Sequence, residues 1–484
     1  MDRVDSLDEE PRAFLQAASV IGRYFSADVA DTLADHYGRT PRAEKAVQHM
    51  RMAGKKALRL YSLDEAELRF RQVVDLIETV PGCADDTFFV DSLLSVCRVL
   101  YYKTDFYGLI ELVEKHRPLV EGMDDPARLG RFLFELGYAH CFSANPAVGK
   151  PLLERALKIG EDTGDERLNA YASMGLMWQH IYWEPPTPET RAKVRELSAR
   201  ACDIGRRLGD RWVTVKALIG PSIDDVVFGR PARARREGLK AIEYSRETGD
   251  PRGRSVGLYC LAFADVYGFD FAGATEDAEE SIRLGLSPID RITAETAKGL
   301  AFVYLERPEE GLPILRAVRD RIVQMGFAQL ATIVDTGLPV GLILTGELSK
   351  DVKELEAFID RYRALAPHFS ALGHLTLGDV YMRLATGQSD VSLGALVRNA
   401  GFVLTAGPRA AAKAREHLSE AADSFRAADA PSFLAWALLD LGLVAIKKKK
   451  KDEARKHLDE AKTAAVEAEV TVLGARIDAA LAGL

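Results

Sequence analysis

The residues able to do chemistry in this 484-residue chain are few, and their spacing does not assemble them. Nine histidines are present, yet none falls in a His-Glu-x-x-His or comparable ligand pattern. His368 and His374 are six positions apart, which puts them on different faces of a helix. The acidic pairs Asp224-Asp225, Glu279-Glu280 and Glu309-Glu310 are sequence neighbours, so on a helix they diverge by about 100° and form no acid/base couple. They are expected as solvated faces or helix starts. No Gly-x-Ser-x-Gly elbow offers a nucleophile. Gly149-Lys150 is the nearest approach to a phosphate loop, but Ala144 stands five positions before Gly149, where the loop needs glycine, and Pro151 follows Lys150. The cysteines (Cys83, Cys97, Cys141, Cys202, Cys260) are scattered without metal or redox spacing and read as buried thiols in a reducing compartment. The expectation is a chain without catalytic residues, metal or cofactor.

Two local features stand out. Trp178, His180, Tyr182 and Trp183 form an aromatic cluster in which Trp178 and Tyr182, four apart, share a helical face. Together with Tyr138, Tyr259 and Tyr267 they are candidates for a partner-binding groove, against the plainer reading of aromatic packing between helices. The run Lys447–Lys451 is expected in a solvated turn, where positive charge suits a helix carboxyl end, with a patch for an acidic partner as its alternative. Lys55-Lys56 and Arg233–Arg236 read as exposed helix faces.

The elements behind these features repeat. Three amphipathic helices run into the same turn, at Gly164-Asp165, Gly209-Asp210 and Gly249-Asp250. Glycine closes a helix in the left-handed conformation, and the following Asp caps the next one. Helix–cap–helix units at this period point to an all-α chain, a right-handed α-solenoid of about ten tetratricopeptide (TPR)-like hairpins. They are expected at 42–60 with 63–79, 87–103 with 106–120, then 126–162, 166–208, 211–248, 252–285, 290–325, 327–363, 366–427 and 431–469, with a closing helix at 470–484. A finer register supports the assignment. A small residue on the first helix precedes a small residue on the second by twelve positions, and a large and a small one follow. The sets are Gly54, Ala66, Phe70, Val73; Gly137, Gly149, Leu153, Ala156; Ala262, Ala274, Ala278, Ser281; Gly299, Gly311, Leu315, Val318; and Gly442, Ala454, Leu458, Ala461.

The expected division is an N-terminal helical cap or winged-helix remnant at 1–37, TPR-like repeats at 38–385, an irregular insert at 386–410 and C-terminal repeats with a capping helix at 411–484. The net charge of −8 gives no footprint for nucleic acid. The start of the chain is too acidic for a secretory signal, and the most apolar stretch, 433–446, is short and contains Asp440. A cytoplasmic protein without membrane or nucleic-acid partners is expected.

Some stretches are familiar. Arg12-Ala13-Phe14-Leu15-Gln16-Ala17-Ala18-Ser19-Val20-Ile21-Gly22-Arg23-Tyr24-Phe25-Ser26 resembles the start of the winged-helix segment of large signal-transduction ATPases. Ala43-Glu44-Lys45-Ala46-Val47 through Gly54-Lys55-Lys56-Ala57-Leu58 resembles the first TPR helix of the same proteins. Pro408-Arg409-Ala410-Ala411 and Leu439-Asp440-Leu441-Gly442 resemble the end of such an array. Taken together the chain resembles the C-terminal TPR region of bacterial class III adenylate/guanylate cyclases with an ATPase module. It departs from them in lacking the Gly-x4-Gly-Lys-Ser/Thr loop, the paired metal-binding aspartates and most of the winged helix. The resemblance implies a non-catalytic scaffold or sensor that binds a protein or peptide and regulates a signalling ATPase or nucleotide cyclase. The alternative is a small-molecule-sensing repeat domain of a signalling or transcriptional regulator.

Overall fold

Each Gly-Asp pair does what its chemistry requires. Gly164, Gly209 and Gly249 take φ values of 69°, 65° and 64°. The Asp165, Asp210 and Asp250 carboxylates then accept the N–H groups of Leu168, Val213 and Arg252. Each pair ends one helix and starts the next with no intervening loop.

The computed structural model describes residues 42–345, 348–387 and 400–484. The expected cap at 1–37 and much of the insert at 386–410 lie outside them. The first helices are α1 (Ala43–Arg59), α2 (Leu63–Thr79), α3 (Asp86–Lys103), α4 (Phe106–Glu121), α5 (Pro126–Phe142), α6 (Pro146–Thr163), α7 (Glu166–Trp183) and α8 (Pro188–Leu208). Next come α9 (Arg211–Val227), α10 (Pro231–Thr248), α11 (Pro251–Tyr267), α12 (Phe271–Leu284), α13 (Pro288–Tyr304), α14 (Pro308–Met325), α15 (Ala328–Thr345) and α16 (Leu348–Leu365). The chain closes with α17 (Pro367–Thr386), the short α18 (Ala400–Ala406), α19 (Ala410–Ala427), α20 (Pro431–Lys447), α21 (Lys451–Glu467) and α22 (Thr471–Ala482). The fold is all-α, a TPR-like array of consecutive helical hairpins.

Within a hairpin the two helices differ in kind. The first, as in α9 or α11, is buried nearly all round. The second, as in α10 or α12, buries a single stripe and turns a charged face to water. The small residues of the register let the pair close. A methyl on Gly149 would lie 2.8 Å from the Gly137 carbonyl oxygen, and one on Gly311 would lie 2.7 Å from that of Gly299. Gly54 and Gly442 are covered by the Phe70 ring and the Leu458 side chain. Ala262, Ala274, Ala278 and Ser281 are fully buried in the same roles. Gly378 of α17 meets the Leu418 side chain of α19 much as Gly442 meets Leu458.

The contacts divide the chain into two compact units. In the first, described over 42–103 and 111–122, Ala46, Val47, Met50, Ala53, Val73 and Cys83 form a core. Lys103 reaches back to Asp64 and Glu67 at 2.8 and 2.7 Å.

The second unit holds Thr104–Ile110 and everything from Met123 on. Here hairpins far apart in sequence also meet. The Phe327 ring packs on Phe106 and Phe142, at 5.4 and 5.6 Å between centroids. Further along, the Ser432 N–H donates to the Gly229 carbonyl at 3.0 Å, and the Ser432 hydroxyl donates to the Tyr267 carbonyl at 3.1 Å. Phe433 packs on Tyr267, and Trp436 packs on Phe269 and Tyr304. The turns of the middle hairpins are therefore covered by α20.

Candidate functional site: an aromatic chamber and a C-terminal groove

The aromatic cluster sits where the first helices of successive hairpins converge. Trp178 and Tyr182 of α7 stack at 5.6 Å with their planes 19° apart, as their spacing predicts. Phe142 of α5, Lys216 and Ile223 of α9, Tyr259 of α11, Thr293 of α13 and Phe327 with Gln329 ahead of and within α15 complete the wall. The ammonium of Lys216 lies 5.6 Å from the Trp178 ring centre, a cation–π contact. The space between them is about 50 Å³, room for one or two waters.

Among the groove candidates, Trp178, Tyr182 and Tyr259 line this chamber. The others do not. Tyr138 is sealed between Phe134, Phe142 and Trp212. Trp183 donates its indole N–H to the Cys141 carbonyl at 2.8 Å, pinning the end of α7 to α5. Tyr267, half-buried at the end of α11, lies edge-on to Phe433. Tyr138, Trp178, Tyr182, Trp183 and Tyr259 are all at most 6% exposed, so they offer no open surface to a peptide. The reason is tertiary: Phe327, brought from a distant hairpin, roofs the face that helical spacing alone leaves free. One polar atom in the wall is unsatisfied, the indole N–H of the buried Trp178.

A second space, toward the C-terminus, is open. Beside α19, α20 and the start of α21 lies a groove of about 550 Å³, floored by Leu441, Val444 and Ala445 and walled by Ala411 and Ala412. Lys448 and Lys450, from the lysine run, stand on its rim with Arg415. The run is the turn between α20 and α21, as its composition predicts, with Lys449 at φ 59°.

Several charged groups lie where sequence reasoning did not put them. Asp224 and Asp225 are not solvated: both are buried near the end of α9, facing Arg191, Arg195 and Arg233. Arg191 and Arg195 are one helical turn apart on α8, a spacing that aims both guanidiniums at one point. Burial nevertheless pushes the Asp224 carboxyl up to about 6, with Arg191 opposing it. Glu279 and Glu280 pair across helices with Lys298 and Arg254, while Glu309 and Glu310 do occupy a helix start. The arginines at 233, 235 and 236 are engaged, with Asp225, Asp265 and Glu469 respectively.

His374 does not meet His368 but His417, Nδ1 to Nδ1 at 3.0 Å across α17 and α19. Asp440, the one charge in the most apolar stretch, is fully buried beside Asp379. Burial, then nearby Asp379, raises its carboxyl well above the usual range. Among the described residues no group of three or more His, Cys, Asp or Glu side chains could hold a metal ion, and no helix is long and apolar enough to cross a membrane.

No family model matches the chain. No curated protein matches it either. Among solved structures it is similar to the Rap protein complexed with competence and sporulation factor, at 11% identity over 86% of this chain and 99% of that one, with a TM-score of 0.42. It is similar too to a signal-transduction ATPase with numerous domains bearing a tetratricopeptide repeat sensor, from Pyrococcus horikoshii. There the identity is 15% over 73% of this chain and 52% of that one, with a TM-score of 0.36. A third is the human IFIT1 dimer with m7Gppp-AAAA, at 12% identity over 90% and 94% of the two chains and a TM-score of 0.38.

Proposed function

We propose that this chain is a non-catalytic TPR-like scaffold or sensor that binds a protein or peptide partner. The observation that carries the reading is the open groove of about 550 Å³ beside α19 and α20, within the size range of ligand-binding clefts, on a fold with an apolar floor and charged rim there. Helical hairpin arrays present such surfaces because each helix pair leaves one flank unpaired. By its resemblance to ATPase-linked cyclases the chain regulates a signalling ATPase or nucleotide cyclase from the cytoplasm.

The test presents the immobilised chain and its Ala412→Trp variant, which fills the groove from an exposed position, to a peptide library. The reading expects enriched peptides with the wild type and their loss with the variant. Equal recovery by both, or no enrichment, removes it. For the regulatory part, unchanged ATPase or cyclase turnover at saturating chain is the adverse result.

The chamber favours a second reading, a small-molecule sensor. It is aromatic-lined and contains the unsatisfied Trp178 N–H. A ligand accepting that N–H would raise the melting temperature and quench tryptophan emission together. A metabolite screen in which no compound does both counts against it.

A further inference from the structure

The lysine run has a place in the fold beyond a solvated turn. Lys448 and Lys450 rise from it onto the rim of the C-terminal groove, opposite Arg415 of α19. Two acidic groups share the rim, Glu416 and Glu453. Glu453 is already engaged, by Arg415 at 3.0 Å and Lys450 at 2.8 Å. Those cations, Lys450 foremost, hold its carboxyl below the usual range. Lys448 and Lys449, both exposed, make no ion pair among the described residues. The chain as a whole carries −8, so positive charge gathered at one groove is not the by-product of a basic protein.

The floor has a different character. Leu441, Val444 and Ala445 are buried, and Ala411 and Ala412 face them with side chains too small to fill the space. None of the lining residues is aromatic, so the groove lacks the stacking platforms by which single-stranded nucleic acids are held.

We infer that this groove docks an acidic peptide segment carrying an apolar side chain. The carboxylates lie against Lys448 and Arg415 on the rim, with Lys449 beside it in the same turn, and the apolar group enters between Ala412 and Val444. The rim selects charge sign and speeds encounter, while the floor separates such a peptide from a plain polyanion. This rests on the peptide-binding reading above and names the class of partner.

The test uses the full chain and fluorescence anisotropy with three labelled probes: a glutamate-rich peptide with a central leucine, the same peptide with glutamine in place of glutamate, and a single-stranded RNA. The acidic peptide is expected to bind, and more weakly as salt rises. The double variant Lys448→Glu/Lys449→Glu, at two exposed turn positions, is expected to weaken it by about tenfold. Replacing the central leucine by serine is expected to weaken it without changing the salt dependence. Equal binding of the glutamine peptide overturns the acidic assignment and leaves the peptide reading standing. Tighter binding of RNA, or an acidic peptide indifferent to the lysine variant, overturns the assignment as well. Failure of all three probes does so too, and the library experiment then decides separately whether any peptide binds.

Discussion

Arg252 and Asp290 form a two-pronged buried ion pair, with Nε and one Nη each 2.8 Å from a carboxylate oxygen and side chains 3% and 1% exposed. Arg252 stands in the first turn of α11 and Asp290 in that of α13, and the Ser287 hydroxyl donates to the same carboxylate. The pair locks one hairpin to the next at the point where each begins. Asp290→Ala leaves a guanidinium in the core without its partner and is expected to cost about 3–5 kcal/mol. Replacing both by apolar residues (Arg252→Met with Asp290→Leu) is expected to recover most of that. Hydrogen exchange of α11 and α13 is the measurement, because repeat arrays do not unfold as one unit. A double variant as unstable as the single one would refute the argument.

Glycines in the array divide by what surrounds them. A methyl on Gly311 would lie 2.7 Å from the Gly299 carbonyl and 3.0 Å from the Val303 amide nitrogen, both backbone. Gly311→Ala is expected to destabilise by about 1–3 kcal/mol despite better helix propensity. Gly474 of α22 has nothing within 4 Å of its added methyl, so Gly474→Ala is expected to stabilise by about 0.5–1 kcal/mol. Chemical denaturation of both variants checks the contrast in sign.

A buried group, Asp265, and a half-buried one, His417, give opposite pH dependence. Burial pushes the Asp265 carboxyl from 3.8 up to about 7, with Arg235 opposing. A carboxyl raised on folding contributes stability that is present below about pH 4 and lost as pH rises through about 7. Asp265→Asn is expected to flatten the melting temperature across that window.

His417 runs the other way. Burial and the adjacent His374 lower it from 6.5 to about 4, with Glu416 opposing. Its contribution is present above pH 6.5 and lost as pH falls toward 4. His417→Gln is expected to reduce the acid-side loss, and an unchanged profile in either variant would sink its assignment.

The Trp178 indole offers a size-against-polarity test. Trp178→Ala removes a buried ring stacked on Tyr182 and is expected to cost about 3–5 kcal/mol. Trp178→Phe keeps an aromatic face on Tyr182 while removing the unsatisfied N–H together with part of the ring, so it is expected to cost less than the alanine variant. Comparable losses in the two variants would count against ring stacking on Tyr182 as the main contribution of Trp178.

The sequence by itself determined the local structure of this chain. A glycine that must adopt positive φ, an aspartate that caps, and small residues twelve apart act within one hairpin, so Gly164-Asp165 or Gly299 with Gly311 can be read without knowing what lies elsewhere. The place of the lysine run followed in the same way from its position between α20 and α21. Only the tertiary structure decided which faces remain open. Phe327 closes over Phe142 and the Trp178 chamber, α20 covers the turns at Gly229 and Phe269, and Arg191 with Arg195 buries an acidic pair that looked solvated. These partners come from other hairpins, and helical periodicity carries no information about how far the array winds before meeting itself. The chamber, walled by Phe327 from a distant hairpin, comes from such a contact, whereas the C-terminal groove lies between the neighbouring helices α19, α20 and α21.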